Sequence, residues 1–81
     1  MSKYKKQTRD VDFQKWVGAR IREIREISGM TQDDFAYGAE IQRGYISDLE
    51  RGVRNVSISN LKKVCDFFEV RLDDFFDPFY K

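Results

Sequence analysis

Apolar residues recur every three or four positions through much of this chain, which is the pattern of helices with one buried face. The first such stretch predicts a helix over about residues 13–28, capped by Asp12. Its buried face would contain Val17, Ile21 and Ile24. Arg20 falls on the opposite side and is expected to face solvent.

Residues 31–52 predict two short helices joined by a tight turn. Thr31 can cap the first of them, over about residues 32–38, because its hydroxyl can accept a hydrogen bond from a free backbone N–H. Asp34 follows three residues later and completes a capping-box pattern. Gly38 is expected to break this helix ahead of the turn.

The second of these helices is predicted over about residues 42–51, with Gly52 placed to end it. On a wheel of ~3.6 residues per turn, Ile46 and Leu49 fall on one side. The other side carries hydrogen-bonding groups around a glycine: Arg43, Gly44, Ser47, Asp48 and Arg51. Such a face can enter the major groove of DNA, which admits a helix and displays a distinct pattern of donors and acceptors for each base pair.

Two more helices are predicted in the C-terminal part of the chain. Ser57 can cap one over about residues 58–69, and a short last helix would cover about residues 73–76. The buried stripe of the longer helix would be Ile58, Leu61, Val64, Cys65 and Phe68. Together with the three helices before them, these elements predict an all-α fold of five helices.

Composition disfavours several classes of function. The single Cys65 excludes an internal disulfide and a cysteine-based metal site, and the absence of His removes the commonest general base and the commonest metal ligand. No apolar run approaches the ~20 residues of a membrane span, and no apolar segment of a signal peptide follows the Lys-rich start. We therefore expect a non-enzymatic, cytoplasmic, single-domain protein that uses no cofactor and no membrane.

Charge is divided unevenly along the chain. Residues 1–63 carry 13 Lys and Arg against 9 Asp and Glu, whereas residues 64–81 carry 2 against 5. The basic part contains the face that could meet DNA, although chance scatter of charge in a small protein is the alternative. Residues 1–11 would be either an arm that touches phosphates or the minor groove, or a solvated, mobile terminus. The helical domain would then cover residues 12–77, with an aromatic tail over residues 78–81.

Several segments, in order, resemble the Cro/repressor-type helix-turn-helix family, also called the XRE-like family. They are IREIRE, Met30-Thr31-Gln32, Phe35-Ala36, Ile46-Ser47, Glu50-Arg51-Gly52, Arg54-Asn55 and the stretch from Leu61 to Phe76. The resemblance covers about residues 13–76 and implies a five-helix, lambda repressor-like domain that binds DNA. Two positions depart from the family pattern: Glu40 stands where a turn glycine is usual, and Ala39 where an inward leucine is usual.

The outward helix face would supply the contacts to bases. Arg43 can read the O6 and N7 atoms of guanine, Gly44 leaves room for close approach, and Ser47 can donate or accept a hydrogen bond. Asp48 could accept from a cytosine amino group, or merely balance Arg51. This set would carry the sequence preference of the protein.

Contacts to the DNA backbone are expected from the edges of the same face. They would come from Gln32, Gln42, Tyr45 and Arg51. The segments RGYIS and RGVRNVS also resemble the small controller proteins of restriction–modification systems. By that resemblance Arg54 is a second base or phosphate contact and Asn55 is a backbone contact.

The family resemblance further implies a structural ion pair between Arg25 and Glu50. Glu50 flanks the Ile46 and Leu49 side of its helix, so its carboxylate needs a partner there. A planar guanidinium can supply two parallel hydrogen bonds. The pair is expected to fix the position of the recognition helix, predicted over about residues 42–51, on the first helix.

The C-terminal part of the chain holds more aromatic side chains than so small a core should bury: Phe67, Phe75, Phe76, Phe79 and Tyr80. Some of them are expected to form an exposed apolar patch at a two-fold dimer interface. Such a dimer would place two reading helices about one DNA turn apart. The alternative is that the tail folds back over its own core.

These features lead to one functional interpretation and two alternatives. The leading one is a homodimeric, sequence-specific regulator that blocks or assists RNA polymerase at a symmetric operator, as a restriction–modification controller would. One alternative is a protein-interaction module of the same fold, such as an antitoxin or a co-activator bridge. The other is a phage-type repressor.

Overall fold

The computed structural model describes residues 11–81, and every regular element in that range is helical. In chain order the elements are α1 (Val11–Ile27), α2 (Gln32–Ala39), α3 (Arg43–Glu50), α4 (Ile58–Phe68), α5 (Leu72–Phe76) and a final 3-10 turn (Asp77–Tyr80). The predicted all-α fold of five helices is confirmed. The predicted basic arm lies outside the described residues, except that Val11 already belongs to α1.

Local capping begins two of the helices as the sequence predicted. The Thr31 hydroxyl accepts from the Asp34 N–H at 3.0 Å, and the Asp34 carboxylate accepts from the Thr31 N–H at 3.1 Å. The Ser57 hydroxyl accepts from the Asn60 N–H at 3.1 Å ahead of α4. The prediction that Asp12 caps α1 is wrong, because Asp12 lies inside the first turn of the helix rather than ahead of it.

The turn between α2 and α3 is made differently from the prediction. Gly38 does not break α2, which continues to Ala39. A methyl group at Gly38 would lie 2.7 Å from two ring carbons of Phe67, so glycine serves close packing here. The left-handed residue that ends α2 is Glu40, with φ 56° and ψ 46°. A non-glycine side chain thus occupies a conformation that usually favours glycine.

The core lies between α1 and the other helices, and its most deeply buried side chains are Ile21, Phe35, Ile46, Leu49, Val64, Cys65 and Phe75. The backbones of α1 and α3 come so close that a methyl group at Gly18 would lie 2.0 Å from the Leu49 carbonyl oxygen. This contact presses the apolar side of α3 onto α1. The predicted burial of Ile58 is also wrong, because this residue is 88% exposed and does not join the buried stripe of α4.

The aromatic tail folds back over its own core. Phe75 is fully buried, and the rings of Phe76 and Phe79 both pack against Phe13 and Trp16 at centroid distances of 5.1–6.1 Å. Phe75 therefore cannot supply surface to a dimer, which corrects its predicted place in the interface. Tyr80 is different, because 81% of it stays exposed.

Two further side chains have contacts within the chain that the sequence analysis did not predict. Phe67 is half-buried and packs on the Phe35 ring at 5.8 Å, so only part of it is available to a partner. Arg20 does not face solvent freely, since its guanidinium donates to the carbonyl oxygens of Phe75 at 2.9 Å and Asp74 at 3.1 Å. Arg20 thus ties α1 to the end of α5 by meeting carbonyl groups that the short helix leaves unpaired.

Candidate nucleic-acid interface

The predicted ion pair holds the C-terminal end of α3 against α1. Arg25 donates to the two Glu50 carboxylate oxygens from Nε at 2.7 Å and from Nη2 at 3.0 Å, and its Nη1 donates to the Met30 carbonyl at 2.7 Å. The side chains are only 11% and 3% exposed. The hydrogen bonds with Glu50 raise the pKa of Arg25 above its ordinary value, so its guanidinium stays protonated.

Gln32 is part of this same network. Its side-chain Nε2 donates to the Glu50 Oε1 at 3.0 Å, which links the start of α2 to the end of α3. An amide group has two N–H donors, so this bond leaves one for the phosphate contact that the sequence predicted. The residue therefore has a structural role that the sequence analysis did not assign.

Gln14 provides a second tie that the sequence analysis missed. It is 6% exposed, and its Nε2 donates to the Gly52 carbonyl at 3.0 Å just beyond α3. Its Oε1 is buried and has no hydrogen-bond partner among residues 11–81. The available signal was its position, since Gln14 lies three and seven residues before Val17 and Ile21 on the apolar face. A polar residue in that stripe indicates a buried hydrogen bond.

With its back held in this way, α3 turns its other side to solvent. Arg43 and Gly44 are exposed and Ser47 is half-buried, whereas Ile46 and Leu49 are buried. Apart from its two chain neighbours and the backbone of α3, no heavy atom of residues 11–81 lies within 4 Å of a methyl group placed at Gly44. Gln42 caps the helix through its backbone alone, and its side chain is exposed. The predicted face of α3 is therefore an open, polar surface.

Each arginine on this open side is paired with a carboxylate. Arg43 lies 2.7 Å from Asp33 of α2, and Arg51 lies 2.5 Å from Asp48. Arg54, in the loop after α3, lies 3.7 Å from the other oxygen of Asp48. Of the two roles considered for Asp48, the balancing of Arg51 is the one seen in the DNA-free chain.

The loop after α3 is joined to the helix through Tyr45. The Tyr45 hydroxyl accepts from the Ser57 N–H at 3.3 Å, and the Arg54 guanidinium lies 4.9 Å from the centre of the Tyr45 ring. Because a hydroxyl that accepts can still donate, Tyr45 keeps a proton for a phosphate oxygen. Asn55 is exposed beside Arg54, so the predicted loop contacts lie next to the face of α3.

Other kinds of site find no support in residues 11–81. That part of the chain brings together no group of three or more acidic, Cys or His side chains that could hold a metal ion. It also contains no helix that is both long and apolar enough to cross a membrane.

Comparison with known proteins agrees with this geometry. A family model described as "Helix-turn-helix" matches residues 21–75, more than half of the chain. The chain belongs to this helix-turn-helix family. A relative within the family is the control protein C.BamHI of Bacillus amyloliquefaciens, which is 41% identical over 61 residues, covering 74% of this chain and 75% of that one.

Solved structures of other family members have the same fold. The restriction–modification controller protein C.AhdI from Aeromonas hydrophila is 31% identical, with a TM-score of 0.76 over 80% of this chain and 98% of that one. The controller protein C.Esp1396I, crystallised as a tetramer with its natural 35-base-pair operator, is 34% identical. Its TM-score is 0.77, over 90% of this chain and 93% of the other.

Proposed function

We propose that this helix-turn-helix protein is a homodimeric, sequence-specific DNA-binding regulator of transcription, and that it controls a restriction–modification operon. The observation that carries the proposal is the rigidly held α3 with an open polar face around Gly44. Control proteins among its relatives support the narrower assignment. The protein would act in the cytoplasm by occupying an operator, where it would block or assist RNA polymerase. It would catalyse no reaction.

The base contacts in this proposal come from the open face and the adjoining loop: Arg43, Gly44, Ser47, Asp48 and Arg54. Arg43 and Arg54 carry forked donors that match the acceptors of guanine, and the bare Gly44 lets the backbone approach the base edges. The contacts to phosphates come from the rim: Gln32, Gln42, Tyr45, Arg51 and Asn55. They would position the helix without reading sequence.

The homodimer is proposed because a symmetric operator needs two reading helices about one DNA turn apart. The surface best suited to the interface includes the exposed Tyr80, the partly exposed Phe79 and the half-buried Phe76. Half-buried Phe67, whose ring packs on Phe35, stays a further candidate for the interface. Phe75 has no part in it, since its side chain is fully buried within one chain.

Selection of binding sites from random duplex DNA, followed by a mobility-shift measurement of stoichiometry, tests this function. The expected result is a two-fold symmetric consensus bound by two chains per site. An unselected pool at the same salt concentration is the control, because phosphate binding alone would retain it equally. Failure to enrich any sequence, together with co-purification of a different protein, would instead favour an interaction module such as an antitoxin.

A further inference from the structure

The open face of α3, its adjoining loop and Asp33 of α2 are here called the reading surface. Its three arginines, at 43, 51 and 54, are largely balanced by two carboxylates, because each arginine is paired with Asp33 or Asp48. Asp48 is shared by two of them and is only 33% exposed on its side chain. A surface built for maximal attraction to phosphates would lack these carboxylates.

We propose that Asp48, assisted by Asp33, determines specificity by weakening attachment to non-operator DNA. The proposal rests on the function assigned above and concerns how the same surface rejects wrong sequences. Asp48 restrains Arg51 and Arg54, whereas Asp33 restrains Arg43. Each arginine must leave, or share, its carboxylate before it can contact DNA.

On non-operator DNA, few new contacts compensate for the release of an arginine from its carboxylate. Such binding relies almost entirely on phosphate charge, and it requires no fit to base edges. A carboxylate on the surface that faces the duplex repels the phosphates and competes for the arginines that would bind them. One such charge near the backbone lowers affinity on the order of tenfold when the local dielectric is that of a protein surface.

On the operator, hydrogen bonds to bases compensate for the release of the arginines from their carboxylates. Arg43 and Arg54 can each gain two hydrogen bonds to a guanine, and Asp48 can accept from a cytosine amino group. These bonds form only where the sequence supplies the matching atoms. The carboxylates therefore reduce affinity for the operator less than affinity for other DNA, and the ratio between the two affinities rises.

The test compares Asp48→Asn and Asp33→Asn with wild type on two duplexes. One duplex carries the consensus selected from random DNA, and the other is a scrambled duplex of the same length and composition. Asp66→Asn is the matched control, because it removes one equally negative carboxylate from an exposed pair with Lys62, at 2.8 Å on α4. Far-UV circular dichroism checks that all variants keep their helices.

Asp48→Asn is expected to raise affinity for the scrambled duplex about tenfold and to lower the operator-to-scrambled ratio at least about threefold. Asp33→Asn should act in the same direction and more weakly, since it holds a single arginine. An unchanged ratio, or an equal change in Asp66→Asn, would overturn the inference. Failure of the proposed function is a separate outcome, because it would show as wild type binding both duplexes alike.

Discussion

Replacing Glu50 with glutamine is expected to destabilise the fold by about 3 kcal/mol, because it leaves the Arg25 charge buried without its counter-ion. The two side chains are 11% and 3% exposed and share hydrogen bonds of 2.7 and 3.0 Å. Breaking such a pair from one side costs about 3–5 kcal/mol. The lower end applies here, since glutamine keeps one acceptor oxygen and the Met30 carbonyl still accepts from Arg25.

Urea and thermal unfolding followed by the fluorescence of Trp16, the only tryptophan, measure this change. For a domain of this size, 3 kcal/mol corresponds to a fall in Tm of roughly 12 °C or more. Glu26→Gln is the matched control, because Glu26 pairs with Arg22 at 3.1 Å on the same helix with both side chains more than half exposed. That variant should change stability by less than about 0.5 kcal/mol.

The reasoning about the buried pair would be refuted if Glu50→Gln and Arg25→Gln each left Tm within error of the Glu26→Gln control. Arg25 cannot escape the penalty by losing its proton, because guanidinium groups stay charged in proteins. A large loss of stability in both variants would show that the pair fixes α3 on α1, as its position between these helices indicates.

Three further predictions concern single positions. Glu40→Gly should raise stability by about 0.5–1 kcal/mol in thermal melts, because glycine relieves the left-handed backbone at φ 56° and loses part of that gain in the unfolded chain. Gly44→Ala should leave the fold intact, with up to about 1 kcal/mol more stability from helix propensity, yet weaken operator binding at least about tenfold, because the methyl group projects where bases approach. Burial raises the pKa of the Cys65 thiol, so the folded protein should react with a thiol reagent far more slowly than the urea-unfolded protein does.

Two control substitutions in α1 distinguish these effects from a non-specific loss of stability. Glu26→Gly, at an exposed helix interior position, should lower stability where Glu40→Gly raises it. Gly18→Ala should destabilise the fold, because its methyl group would meet the Leu49 backbone, whereas Gly44→Ala should not. Full operator affinity in Gly44→Ala, a lower Tm in Glu40→Gly, or equally fast Cys65 labelling in the folded state would each contradict the corresponding prediction.

Features set by near neighbours in the chain could be predicted from the sequence. The capping box of Thr31 and Asp34 needs residues only three apart, and the two sides of α3 follow from helical spacing. The pair of Arg25 and Glu50 was also within reach, because a carboxylate beside the apolar side of a helix requires a partner and the family resemblance indicated which one.

Features decided by distant parts of the chain could not be predicted in the same way. Gly38 was predicted to break α2, whereas its actual role is to make room for the ring of Phe67. That ring is 29 positions away in the chain, so the local sequence could not show the contact. Counting aromatic residues could not show that Phe75 and Phe79 find partners on α1 rather than on a second chain. Arg20 likewise depends on where the end of α5 comes to rest.

The most direct test of base reading by α3 is a comparison of Arg43→Ala and Arg51→Ala on a library of single-base variants of the selected operator. Arg43→Ala should cost about 1–3 kcal/mol and lose the preference at one base pair in each half-site. Arg51→Ala should weaken binding to all sequences similarly and reduce the salt dependence by about one phosphate contact. If both variants bind every sequence as wild type does, the open face of α3 does not enter the groove.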